Sequence, residues 1–173
     1  MIINYLKTLI KQNYLLTILF DYLISNFNLN FEKEYELIKF INKKNKVVID
    51  IGGHKGESIV GFLKHDQFCQ ILSFEPIKSN YEIILKKIKK NNVKVFNFGI
   101  ANSNNKKKIY IPKINNYRFT GLSSDNVQNL EFRLKTYFKK IYKNFQITSD
   151  FVNFRKLDDL QIIPDLIKID VEG

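Results

Sequence analysis

Apolar and polar positions recur along this chain with two different periods, and the change falls near Lys46. Before it, Ile2, Leu6, Leu9, Leu16, Phe20, Leu23 and Phe27 follow one another at steps of three and four, with Asn13 at the one polar step. That spacing predicts an amphipathic helix whose stripe something must cover. The following domain, a homo-oligomer seam and a membrane surface are the three covers the pattern allows. Lys7, Lys11 and Asp21 break the run before the ~20 apolar residues a membrane span needs, and no small-residue cleavage site follows it. Neither a transmembrane span nor a signal peptide is therefore expected, and peripheral membrane contact stays open. A second helix is expected after Asn30, a good N-cap. Glu32 and Glu34 stand in its first turn, Lys43 and Lys44 in its last, and Phe31, Tyr35, Ile38 and Ile41 on its apolar face. Residues 1–45 thus read as a helical extension and residues 46–173 as the domain it precedes.

From Lys46 the pattern is that of strands alternating with helices. Val47 to Ile51 is a short apolar run that ends in Gly52-Gly53-His54-Lys55-Gly56, and Ile59, Val60, Phe62 and Leu63 then mark a helix. Ile71 to Glu75 reads as a second strand stopped by Pro76, Tyr81, Ile84, Leu85 and Ile88 as a second helix, and Val93 to Phe98 as a third strand. This alternation predicts a doubly wound, mainly parallel α/β sheet. Then comes an insertion. Ile109 and Ile111 alternate with Lys108 and Tyr110, Ile147 to Phe154 is similarly extended, and Val127, Leu130, Leu134 and Ile141 space out a helix between them. Leu166 to Val171 reads as a further, central strand of the parallel set.

The glycine turn is where chemistry is expected. At the carboxyl end of a first parallel strand, Gly52, Gly53 and Gly56 let the backbone turn sharply and present no side chains to a passing ligand. Glu75 ends the second strand, where a carboxylate can accept both hydroxyl protons of a ribose. The combination points to a nucleoside-containing cofactor; ordinary turn glycines and a surface glutamate are the plainer alternative. The turn reads G-x-x-x-G after Asp50, not the G-x-G-x-x-G that sets a helix N-terminus against a pyrophosphate. S-adenosylmethionine has no pyrophosphate, and Asp50 with the loop's backbone groups suits its zwitterionic methionine end. Merely capping the turn is the alternative for Asp50, and for His54 the alternatives are a base near the methionine end and a plain loop position.

Composition and charge narrow the classes. With 45% hydrophobic residues, 14% aromatics, 7 Gly and 3 Pro, the chain is globular and of one-domain length at 173 residues. A single Cys and two His, Cys69, His54 and His65, supply neither an internal disulfide nor a structural zinc cluster. A reducing, cytoplasmic setting without a resident metal follows as the expectation. The net charge of +11 invites a nucleic-acid reading. Only Arg118, Arg133 and Arg155 are arginines among 28 basic residues, however, whereas bidentate phosphate and guanine recognition favours Arg. No specific nucleic-acid partner is expected.

Four segments in order resemble the FkbM-type methyltransferases: Asp50-Ile51-Gly52-Gly53-His54-Lys55-Gly56-Glu57, Phe74-Glu75-Pro76, Leu157-Asp158-Asp159-Leu160, and Pro164-Asp165-Leu166-Ile167-Lys168-Ile169-Asp170-Val171-Glu172-Gly173. The resemblance implies a Rossmann-like class I fold. It implies S-adenosylmethionine as donor and O-methylation of a hydroxyl on a sugar, glycan or small-metabolite acceptor. The family's turn more often reads Gly-Ala-Asn where this chain has Gly53 and His54. Asn97-Phe98-Gly99-Ile100-Ala101 resembles the family's third-strand end, which implies that Gly99 and Ile100 lie beside the adenine. Gly121-Leu122-Ser123-Ser124 resembles a segment near the acceptor pocket and also reads as an ordinary turn.

Asp170 and Glu172 close the last strand, where two acids can serve as a general base, as metal ligands or as loop caps. Lys168 reads as a structural lysine whose stem packs beside the sheet. The family's sheet has further strands beyond the four counted here, so the resemblance implies a fold incomplete at its C-terminus. Two alternatives to a small-molecule methyltransferase follow: a nucleic-acid methyltransferase on the same fold, which the lack of a Pro-Pro strand end disfavours, and a truncated, non-catalytic remnant.

Overall fold

A computed structural model describes Asn13, Leu15, Leu16, Ile18, Leu19, Leu23 and residues 33–171. Most of the predicted N-terminal stripe, the Asn30 cap, Phe31, Glu32 and Glu172 lie outside the described residues. The strands are β1 (Val47–Ile51), β2 (Gln70–Phe74), β3 (Val93–Phe96), β4 (Gly99–Ile100), β5 (Asn105–Ile114), β6 (Tyr117–Arg118), β7 (Gln146–Arg155) and β8 (Leu166–Ile169). The α-helices of the body are α1 (Glu57–His65), α2 (Lys78–Lys87) and α3 (Val127–Tyr137). By contacts the chain divides into two compact units, one around Lys108–Asp150 and one of Asn28–Lys107 with Phe151–Val171.

The second of these units holds a parallel sheet of order β3-β2-β1-β8. β1 and β2 carry the short continuous apolar runs that a strand covered on both faces needs. Their side chains make the core: Val48, Ile49, Ile71 and Phe74 are fully buried, together with Ile59 of α1 and Ile84 of α2. Chain order runs outward from β1 through β2 to β3, and β8 then lies on the other side of β1. The sheet thus has its topological switch between β1 and β8, and in such sheets ligands bind outside the carboxyl ends of the strands at that point. Asp165 pins the register. Its carboxylate accepts the Val47 N–H at 2.9 Å and pairs with Lys43 at 2.9 Å, contacts that hold it below the ordinary aspartate range.

Three expectations change here. The second helix is a 3-10 helix, Lys33–Phe40, that ends before Lys43 and Lys44. Tyr35 and Ile38 are its buried residues and Ile41 follows three further on, a spacing at which 3-10 side chains eclipse. β3 stops at Phe96, and Gly99–Ile100 becomes a separate strand paired with Phe154 and Arg155 of β7. β8 ends at Ile169 rather than Val171, and it closes the sheet order among the described residues with Ile167 and Ile169 exposed.

The other unit has its own core of Phe119, Leu130, Leu134, Phe138 and Ile141, against which Ile18 of the N-terminal segment packs. The packed residue is not on the predicted stripe, and the stripe's Leu16 is 42% exposed. β5 and β6 pair antiparallel, Lys113 opposite Arg118 and Ile114 opposite Tyr117. Asn126 caps α3, its side-chain oxygen accepting the Gln128 and Asn129 N–H groups at 2.9 and 3.0 Å. Asn126→Ala should cost ~1 kcal/mol, read by denaturant titration. An unchanged midpoint would mean that α3 is held by its apolar face alone.

Candidate functional site

The parallel register sets Asp50 of β1 opposite Ser73 of β2 on one side and Lys168 of β8 on the other. Register partners in a parallel sheet point to the same face, so three polar side chains line up among apolar strands. Asp50 is fully buried. Its Oδ2 accepts the hydroxyls of Ser58, from α1, at 2.8 Å and Ser73 at 2.7 Å. Its Oδ1 lies 3.2 Å from Lys168 Nζ and makes no hydrogen bond. Enclosure of this kind is tolerable for a carboxylate only with a counter-charge, which Lys168 supplies. The side chain expected at a ligand's methionine end is thus buried beneath the glycine turn, bonded to Ser58 and Ser73 and paired with Lys168.

That turn follows directly. Gly52 and Gly56 adopt φ of +87° and +89°, and His54 also has positive φ, at +45°. The Gly52 and Gly53 N–H groups both donate to the Phe74 carbonyl oxygen, at 3.0 and 3.3 Å, which ties the turn to the end of β2. A Cβ on Gly52 would lie 2.0 Å from the Asp170 carbonyl oxygen, and one on Gly53 2.2 Å from Ser73 Oγ. The space a side chain would need at Gly52 is filled by β8's end.

Glu75 stands at the end of β2 beside the turn. Its Oε2 accepts the His54 N–H at 2.8 Å, while Oε1 accepts the Ile77 N–H at 2.9 Å and the Asn80 amide at 3.3 Å. Only 4% of it is exposed, and burial outweighs these bonds, raising its pKa to about 7. Glu57 behaves oppositely. Burial raises it, but His54, whose Nδ1 lies 3.4 Å from Oε1, and the Glu57 and Lys55 backbone N–H groups together bring it down to about 2. Asn97 Nδ2 donates to the carbonyl oxygens of Glu75 and Pro76, at 3.0 and 3.1 Å, and fixes the chain leaving β2.

Asp170 follows β8 with its side chain 70% exposed, and its N–H donates to the Ile51 carbonyl oxygen at 3.0 Å. At the carboxyl ends of three adjacent strands, His54 thus bonds Glu75 directly, Gly52 lies against the Asp170 backbone, Gly52 and Gly53 bond the residue before Glu75, and Asp50 is linked to Gly52 and Asp170 through Lys168. Gly99 and Ile100 face β7 instead: a Cβ on Gly99 would lie 2.5 Å from the Phe154 ring. The nearby Phe98 ring has the Arg155 guanidinium 4.7 Å from its centroid. In the other unit, Leu122 lines a cavity of about 160 Å³ with Leu130, Arg133, Leu134, Tyr137 and Phe138.

In the sequence Lys168 reads as a structural lysine and Asn97 as part of the third-strand end, and nothing marks Ser58 or Ser73; the lysine alternating with isoleucines at Ile167-Lys168-Ile169 is a usable signal. Among the described residues no group of three or more His, Cys, Asp or Glu is placed to hold a metal ion. Among them, too, no helix is long and apolar enough to cross a membrane.

Compared with models of protein families, residues 50–173 match the methyltransferase FkbM domain. Neither the curated proteins nor the solved structures gave a match.

Proposed function

The chain belongs to the FkbM methyltransferase family, and from that premise we propose that it methylates a hydroxyl of a sugar, glycan or small metabolite with S-adenosylmethionine as donor. Its parallel sheet with crossover helices is a Rossmann-like class I methyltransferase fold. The observation that carries the donor reading is Glu75: a buried carboxylate at the end of β2, bonded to the glycine turn at the switch of the sheet.

The residues fit that donor by their chemistry. Two oxygens of one carboxylate match the two hydroxyls of a ribose, and the backbone of Gly52, Gly53, His54 and Gly56 suits the amino-acid end. Pro76 shapes the exit from β2. The bound donor supplies an electrophilic methyl group on sulfur. Asp170, exposed at the end of β8, takes the proton of the acceptor hydroxyl, with Glu172 as the second acid. Asp50 acts by holding the turn. The single buried Cys69 suits a reducing cytoplasm.

Incubating the chain with methyl-labelled donor and a panel of sugars, glycans and small hydroxylated metabolites tests the assignment. Asp170→Asn should lower transfer about a hundredfold while leaving donor affinity within about twofold. Label appearing in RNA or DNA instead would replace the acceptor class, and equal turnover by the variant would remove Asp170 from the chemistry.

A further inference from the structure

We propose that Lys168 is a positioning residue of this site, a three-way tie whose ammonium sets the glycine turn and the exposed acid of β8 relative to each other. The inference rests on the donor-site reading above for its consequence, but on geometry for its substance. Lys168 Nζ donates to the Gly52 carbonyl oxygen at 3.1 Å, lies 3.2 Å from Asp50 Oδ1 and 3.6 Å from Asp170 Oδ2. The ammonium thus makes one hydrogen bond, to the turn, and sits at ion-pair distance from two carboxylates, so its charge faces all three oxygens. The side chain is held: only 17% of it is exposed.

Each of the three oxygens belongs to a different part of the site. Asp50 is the buried anchor under the turn, Gly52 is the turn itself, and Asp170 is the acid on the open side. Lys168 and Asp170 are two apart on an extended segment and so share a face, while the register puts Asp50 opposite Lys168 on the neighbouring strand. The Gly52–Asp170 backbone approach is closer than any side chain on Gly52 allows, so a shift in one strand end moves the other. A lysine that merely packed its stem beside the sheet would need none of these contacts.

Removing Lys168 alone leaves a buried carboxylate without its counter-charge, and Lys168→Met can therefore fail to fold for a reason unrelated to positioning. The pair Asp50→Asn with Lys168→Met removes both charges and keeps an oxygen for the serine hydroxyls. It is the deciding variant, compared with Asp50→Asn alone. With the fold intact by thermal melting, the double variant should show amide exchange of Gly52 and Gly53 about tenfold faster than in Asp50→Asn, and donor binding about tenfold weaker by calorimetry. Its turnover number should fall further than its acceptor KM rises. Lys168→Arg, which keeps charge but presents a planar fork, should recover the melt but only part of the turnover.

Turn exchange and turnover in the double variant equal to those of Asp50→Asn would overturn the proposal and leave Lys168 as a charge partner only. A wild-type chain that binds no donor would overturn the donor reading instead, and the exchange comparison would still decide the role of Lys168.

Discussion

Replacing Gly52 with alanine should cost roughly 2–5 kcal/mol of folding stability, enough to approach the lower end of the ~5–15 kcal/mol that holds a typical domain together. Two costs add. The backbone at Gly52 has φ of +87°, where an L-residue sets its Cβ against its own carbonyl. The new Cβ would also stand 2.0 Å from the carbonyl oxygen of Asp170, which is backbone and cannot swing aside. Gly56 isolates the first cost. Its φ is +89°, but a Cβ there would meet only the Ile84 and Ile88 side chains at 3.6–3.7 Å, ordinary contact distance. Gly56→Ala should therefore lose only about 1–2 kcal/mol. Urea midpoints of the two variants make the comparison, and equal losses would show that β8 yields to the added carbon. The close approach also changes what a Gly52 variant can report about ligand: loss of donor binding there follows from a displaced β8 as readily as from a blocked site.

How far the sequence reveals this molecule depends on how local each feature is. β1, β2, α1 and α2 lie where the apolar pattern places them, because Val47 to Ile51 is a continuous run buried on both faces and Ile59 to Leu63 belong to a helix that buries one. The family motifs are legible for the same reason: each is a short run. Where two periods fit, reading fails. Tyr35, Ile38 and Ile41 are three apart, and with Phe31 four before them they mark a helix without fixing its type; a 3-10 helix forms. The N-terminal stripe ranked Leu16 above Ile18, yet burial is decided by the partner surface, and the core around Leu130 and Phe138 takes Ile18. Asp50 shows the nonlocal limit most clearly. Within its strand it is one polar residue in an apolar run. Only the register of β2 and β8 reveals that Ser73 and Lys168 flank it and close it off from solvent.

Glu75 should separate stability from function, with opposite responses to pH. Burial is the dominant influence on its carboxyl and raises it from 4.5 to about 7, so the folded chain holds this proton more tightly than the unfolded chain does. The stability it contributes is then complete below pH 4.5 and lost as pH rises through about 7. The size of the shift corresponds to ~3 kcal/mol. Glu75→Gln cannot ionise. Whatever fixed cost its amide incurs against the His54 and Ile77 N–H groups, its stability relative to wild type should rise by ~3 kcal/mol between about pH 4.5 and pH 8. Donor binding should run the other way. The ionised carboxylate offers two acceptors to two ribose hydroxyls, bonds worth ~1.5–3 kcal/mol each when the acceptor is charged. Wild-type affinity should thus strengthen as pH rises through about 7. Glu75→Ala at about pH 8 should bind donor some 10²–10⁴-fold more weakly. Paired melts and calorimetry across this range check both halves. A flat difference between wild type and Glu75→Gln would mean that the buried carboxyl does not titrate there, and alanine with wild-type affinity would place the ribose elsewhere. Both losses together would identify one carboxylate whose burial destabilises the empty fold and whose charge holds the donor.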